Sequence, residues 1–146
     1  TGVGGARIVD GEIDASAFGF EPGHQIINAD VTFSGRMVDF EGVVSGIGIQ
    51  TRYGQKPEEI KDPEVWKEVE KFLAIGLANT ILHWSPDVVV LGGSMMKEVG
   101  IPIDKVREHL KETLAIFPEL PEIKRAELAD FGGLYGALFY ARTHYA

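Results

Sequence analysis

Glu21 and His24 stand three residues apart, separated by Pro22, which stiffens the backbone, and Gly23, which permits a sharp turn. A carboxylate accepts two hydroxyl hydrogen bonds and an imidazole donates or accepts one, so the pair suits the vicinal hydroxyls of a sugar. Glu41, between Phe40 and Gly42, reads either as a third hydroxyl ligand or as a first-turn carboxylate favoured by a helix dipole. A second chemistry is anion holding. Thr1-Gly2-Val3-Gly4-Gly5 offers backbone N–H groups that can approach a phosphate without Cβ interference, and Thr1 adds a hydroxyl donor. No Lys-Ser/Thr pair follows, so the run is not a Walker A loop, and taken on its own a plain tight turn is the simpler reading. Gly92-Gly93-Ser94 closes an apolar run and forms another ligand-loop candidate, unless its glycines only make room for packing. Asp87 and Asp130 sit at element boundaries, where they could contact magnesium or a nucleotide or simply form turns. The chain has no cysteine, and His83, His109 and His144 lie far from His24 in sequence, so no metal site is expected.

These residues must be positioned by regular elements. Ala6 to Val9 and Glu12 to Ile13 flank Asp10-Gly11, the signature of a tight β-hairpin. Asp14 to Gly35 lacks a sustained period and reads as a structured loop, followed by one short helix from Phe40 to Tyr53 and a polar connection from Gly54 to Pro63. Val65, Val69, Phe72, Leu73, Leu77, Ile81 and Trp84 recur at helical spacing, with Glu64, Lys67, Glu68, Glu70 and Lys71 expected on a solvated face. Asp62-Pro63 starts that helix and Ser85-Pro86 stops it. Asp87 to Leu91 carries a continuous Val/Leu run of the kind buried on both faces of a parallel sheet. A second amphipathic helix spans Pro102 to Phe117, carrying Ile103, Val106, Leu110, Leu114 and Phe117. Ile123 to Leu128 reads as a strand and Gly132 to Tyr145 as a closing helix with Leu134, Leu138, Phe139 and Ala141. The order implies an α/β fold with a mixed sheet and packed helices. Ligands would then meet the loops Thr1 to Gly5, Gly92 to Ser94 and Asp130 to Gly136.

Composition narrows the options. At 146 residues the chain is about one domain. Fourteen Lys+Arg against 22 Asp+Glu give a net charge of −8, which disfavours nucleic acid and anionic membranes as partners. No membrane span or secretory leader is visible, so the chain reads as cytoplasmic. It starts with Thr1 inside a loop motif rather than with Met, which points to a fragment.

The order of the motifs resembles the C-terminal half of the ROK family of sugar kinases and sugar-responsive repressors. Thr1 to Gly5 resembles the family's second phosphate motif, Gly-Thr-Gly-x-Gly-Gly-Gly, without its leading glycine and with Ala6 for the last. Glu21 to His24 is similar to the Glu-x-Gly-His sugar motif. Glu41 with Ser45-Gly46 resembles the end of the family's zinc signature, and Gly76 to Asn79 the stretch Gly-Leu-Ala-Asn. Pro86 to Ser94 resembles the strand and turn approaching the adenosine, and Gly132 to Ala137 the start of the closing helix. The resemblance covers essentially the whole chain.

The resemblance implies one lobe of the actin-like ATPase and hexokinase fold, with the active site in the cleft between two lobes. It implies an ATP-dependent, glucokinase-like hexose kinase using Mg²⁺. Thr1, Gly2, Gly4 and Gly5 would hold phosphates, Gly92, Gly93 and Ser94 would border the adenosine, and Glu21, His24 and Glu41 would bind sugar hydroxyls. The family's general base lies in the N-terminal lobe, so the isolated chain is expected to be inert. Members usually bind a structural zinc through cysteines that this sequence lacks. No zinc is therefore expected, and packing by Ile26, Ile27, Val31, Phe33, Val38 and Phe40 is expected to hold the loop instead. Two further readings stay open: a sugar-sensing regulatory module without catalysis, and a scaffold lobe that has lost its ligands. The family also often pairs into homodimers through this half. The Pro102 to Phe117 helix suits that role and a core role equally.

Overall fold

The computed structural model describes residues 2–14, 19–33, 36–97 and 100–145. Its elements, in order, are β1 (Ile8–Val9), β2 (Glu12–Ile13), β3 (Ile26–Phe33), β4 (Arg36–Asp39), α1 (Phe40–Val44), α2 (Gly46–Tyr53), α3 (Pro63–Trp84), β5 (Val88–Leu91), α4 (Ile103–Thr113), β6 (Glu122–Arg125) and α5 (Gly132–Tyr145). The chain is α/β, and its described strands fall into three two-stranded sheets: β1–β2 and β3–β4 antiparallel, β5–β6 parallel. The hairpin forms at Asp10-Gly11, both with positive φ (52° and 82°), as the tight turn requires.

Long α3 is the axis. Asp62 accepts the Glu64 N–H at 2.9 Å, Pro63 occupies the first turn, and Ser85 enters the left-handed region at φ 46°, ending the helix. Val69, Leu73, Ala74, Leu77, Ala78 and Ile81 are buried on it. On one flank they meet Phe40, Val43, Val44 and Ile49, and on another Val106, Leu110 and Leu114 of the α4 segment, together forming one core with Val38 and Ile123.

Several sequence expectations need correction. The expected loop from Asp14 to Gly35 contains β3, because Ile26 and Asn28 pair with Asp39 and Val38 across an irregular register that hides the period of two. The single helix from Phe40 to Tyr53 is broken at Ser45, whose backbone is extended and whose hydroxyl accepts the Gly48 N–H at 3.0 Å, starting α2 anew. β5 is not covered on both faces: Val88 and Val90 are exposed while Val89 and Leu91 pack on the core, and among the described residues β6 is the one strand that pairs with it. Glu70 leaves the solvated face and is buried. α4 packs across α3 there, and desolvation raises the Glu70 pKa against the attraction of His109 and Lys105. Helix α4 also ends at Thr113, short of Phe117, and strand β6 ends at Arg125, short of Leu128.

One close approach sets α1 against α3. A Cβ on Gly76 would lie 2.5 Å from the Phe40 ring, so glycine in mid-helix is what lets that ring lie on the helix backbone. Gly76→Ala is expected to destabilise the fold by about 1–3 kcal/mol, although alanine is the better helix former, through overpacking; chemical denaturation measures it. Glu70→Gln is expected to raise the melting temperature at pH 7. A carboxyl with a raised folded-state pKa holds its proton more tightly when folded, so stability falls as pH rises through that range, and the gap between variant and wild type should close near pH 4.

Candidate functional site

The segment Glu21 to Gln25 is a 3-10 turn (Pro22–His24) pinned from both sides. The Gln25 side-chain amide donates to the Pro22 carbonyl at 2.8 Å and to the Gly76 carbonyl of α3 at 3.1 Å, and the Gln25 carbonyl accepts the Phe40 N–H at 2.9 Å. The turn is thereby fastened both to the axial helix and to the start of α1, which carries Glu41. Glu21 and His24 are exposed, Glu41 half-buried and Gly23 buried.

Asp39 organises this corner. Its Oδ1 accepts the Gly42 N–H at 2.9 Å, capping α1, while its Oδ2 accepts the His24 Nδ1–H at 3.1 Å. That hydrogen bond is the main cause of a His24 pKa above the ordinary 6.5. The charges of Asp39, Glu41 and Glu21 add to it, against a desolvation contribution that lowers it. With Nδ1 committed to Asp39, Nε2 is the ring nitrogen left for a ligand. Sequence reasoning missed Asp39. The signal available was its place as the polar residue immediately before Phe40-Glu41, a helix-capping position.

The glycine-rich run reaches this corner from the other side. The Val3 N–H donates to Glu41 Oε2 at 2.6 Å. Gly2 and Gly23 allow the approach: a Cβ on Gly2 would lie 2.2 Å from Glu41 Oε2, and one on Gly23 would lie 2.0 Å from the Val3 carbonyl oxygen. Gly2 and Gly23 are thus explained by close backbone contact, whereas a Cβ on Gly4 would meet nothing within 4 Å. Thr1 lies outside the described residues.

Gly2, Gly4 and Gly5 share one cavity of about 860 Å³ with Gly92, Gly93 and Ser94, which stand at the end of β5. Pro22, Phe40, Trp84, Asp87 and Met95 also line it. Two glycine loops about ninety residues apart in sequence therefore face the same space, and Gly93 takes φ +99° there. Glu21, His24 and Glu41 do not line the cavity; they border it through Pro22 and Gly2. The third expected ligand loop, Asp130 to Gly136, is not part of it. Those residues run from a 3-10 turn directly into α5, and Asp130 pairs with Lys97. Helical spacing places Trp84 on the apolar face of α3; its position at the end of that helix also puts it on the cavity wall.

Residues 1–144 match the ROK family. The chain belongs to that family. Among curated ROK-type relatives it is 32% identical, over 97% of its own length, to a putative fructokinase of Bacillus subtilis, of which it covers 52%. It is 28% identical to the N-acetyl-D-glucosamine kinase of Aliivibrio salmonicida, over 95% of its own length and 55% of that protein. The chain spans about half the length of the curated relatives it matches. Its fold is that of solved ROK structures. The ROK hexokinase from Thermus thermophilus superposes with a TM-score of 0.80 at 23% identity, covering 98% of this chain and 55% of that one. A ROK family glucokinase from Streptomyces griseus, in complex with glucose and AMPPNP, superposes with 0.76 at 21% identity, covering 98% and 58%. The architecture is accordingly that of half of an actin-like ATPase fold. A structural zinc does not fit this ROK chain: it has no cysteine, and among the described residues no three His, Asp or Glu side chains converge. Of the apolar residues expected to hold the loop, Val38 and Phe40 are buried and Ile27 packs on the core. Ile26 is 46% exposed, on the face of the strand opposite to its neighbour Ile27, and the side chains of Val31 and Phe33 lie outside the described residues. The polar clamp of Asp39 and Gln25 completes the anchoring.

Asp39→Asn is expected to bring the His24 pKa back toward 6.5, since the largest raising interaction becomes neutral. Imidazole proton shifts followed by NMR across pH 5–9 measure this, and an unchanged titration would show that Asp39 does not govern the ring.

Proposed function

We propose that this ROK chain forms one wall of the active site of an ATP-dependent hexose kinase, as the C-terminal lobe of a two-lobed protein. The observation that carries the reading is the single cavity shared by the Gly2–Gly5 and Gly92–Ser94 loops, bordered by three groups able to bind hydroxyls. In this reading Thr1, Gly2, Gly4 and Gly5 hold the phosphates of Mg-ATP by backbone N–H groups, Gly92, Gly93 and Ser94 border the adenosine, and Glu21, His24 and Glu41 bind the sugar. Phosphoryl transfer is chiefly positioning and charge stabilisation, and fixed loops on a packed core supply positioning. The names of the relatives, fructokinase, N-acetyl-D-glucosamine kinase and glucokinase, support a sugar as substrate and leave its identity to a panel.

Two features support a second lobe. Helix α5 has no buried residue among those described, with Leu134 69% and Phe139 62% exposed, and Val88 and Val90 present a bare apolar row on β5. Relatives are about twice as long. The base that takes the sugar proton belongs, on this reading, to the other lobe.

The test uses the complete protein and the chain of 146 residues side by side, with ATP, Mg²⁺ and a panel of glucose, fructose, mannose and N-acetylglucosamine. Sugar-dependent ADP release is expected from the complete protein and none from the chain alone. Glu21→Ala is expected to raise the sugar KM about tenfold or more, as loss of a charged hydroxyl ligand does. Turnover by the chain alone would place the base within these residues, and sugar-independent behaviour of the complete protein would favour a regulatory or scaffold role.

A further inference from the structure

The glycine-rich loop is held in place by residues of the sugar corner. β1 and β2 pair with each other, and the Arg7–Asp14 ion pair closes the same hairpin on itself. Among the described residues, the loop that precedes them packs the Val3 side chain on the core and passes near Trp84, and its backbone makes three close approaches to the Glu21–Glu41 corner. Val3 N–H donates to Glu41 Oε2 at 2.6 Å; the Val3 carbonyl lies on Gly23; and Gly5 sits against Pro22, whose Cγ would be 2.8 Å from an added Cβ. Pro22 and Gly23 are the two residues between Glu21 and His24. These three backbone approaches therefore all fall on a sugar-corner residue or a direct neighbour of one, and the Val3–Glu41 bond is the polar one among them.

Glu41 is the polar member of the set, and its carboxylate is divided. Oε2 holds the loop by a short, charge-assisted bond, while Oε1 accepts no hydrogen bond among the described residues. Resting on the kinase reading above, we infer that Glu41 couples the two ligand sites. Oε1 takes a sugar hydroxyl, the carboxylate is thereby fixed, and Oε2 fixes the phosphate loop. Sugar binding then prepays the ordering of the loop, so nucleotide binds more tightly when sugar is present, and by reciprocity sugar binds more tightly when nucleotide is present. Glu41 is in this respect a positioning residue for the nucleotide, acting through Val3.

The experiment measures the affinity of the complete protein for AMPPNP by calorimetry, without and with a saturating concentration of the hexose phosphorylated in the panel. The wild type is expected to bind AMPPNP at least about fivefold more tightly with the sugar. Glu41→Gln keeps an oxygen at the reach of Val3 N–H and is expected to retain most of that ratio. Glu41→Asp keeps the charge but ends one methylene short, and its ratio is expected to fall to about one while the sugar still saturates. Gly2→Ala, whose methyl group displaces Oε2, is expected to act like Glu41→Asp and serves in its place should that variant not fold. A wild-type ratio of one, or a wild-type ratio preserved in both Glu41→Asp and Gly2→Ala, overturns the coupling. In either case measurable turnover and binding of both ligands leave the kinase reading standing. Failure of the complete protein to bind sugar or AMPPNP at all overturns the kinase reading itself, and the coupling with it.

Discussion

The Phe40 ring lying on the bare backbone of Gly76 is the contact from which the rest of the structure follows. It sets α1 against the axial helix, and α1 begins one residue after Asp39 and carries Glu41. From there the polar links are short: Asp39 to His24, Gln25 to Gly76 and Pro22, Glu41 to Val3. An apolar contact fixes the frame, and hydrogen bonds, which are directional, set the side chains within it. Dense packing makes the frame stiff enough for such bonds to have defined lengths.

On the proposed kinase reading, the two halves of the site divide their labour by the chemistry of the ligands they would take. Main-chain N–H groups suit phosphate oxygens, and the loops that face the cavity are rich in glycines, whose value there is the absence of a side chain. Groups that accept as well as donate suit hydroxyls, and the neighbouring corner is built from carboxylates and an imidazole. Asp39 belongs to neither set; it orients His24 and caps α1 with its two oxygens.

Much of this was legible in the sequence where a residue's role is local. The hairpin at Asp10-Gly11, the capped start of α3 at Asp62-Pro63 and its end at Ser85 depend on neighbours within a few positions, and they appear where the local signals put them. What was illegible depends on partners distant in the chain. Glu70 looks solvated until α4 covers it, β3 hides behind an irregular register with β4, and Val88 and Val90 read as doubly buried because apolarity alone does not say how many layers surround a strand. The same holds for the site. Glu21, His24, Glu41 and the glycine loops can be picked out by type and spacing, but that the loops share one cavity, and that Gly2 and Gly23 exist to let Val3 approach Glu41, is a property of the fold.

The exposed apolar rows of α5 and β5 carry a practical consequence. A surface bearing Leu134, Phe139, Val88 and Val90 has affinity for any other apolar surface, including its own copy. Handled on its own, the chain is a concentration-dependent material: its apparent size, its solubility and its melting behaviour will shift with dilution and with added detergent, and comparisons between variants hold only at matched protein concentration.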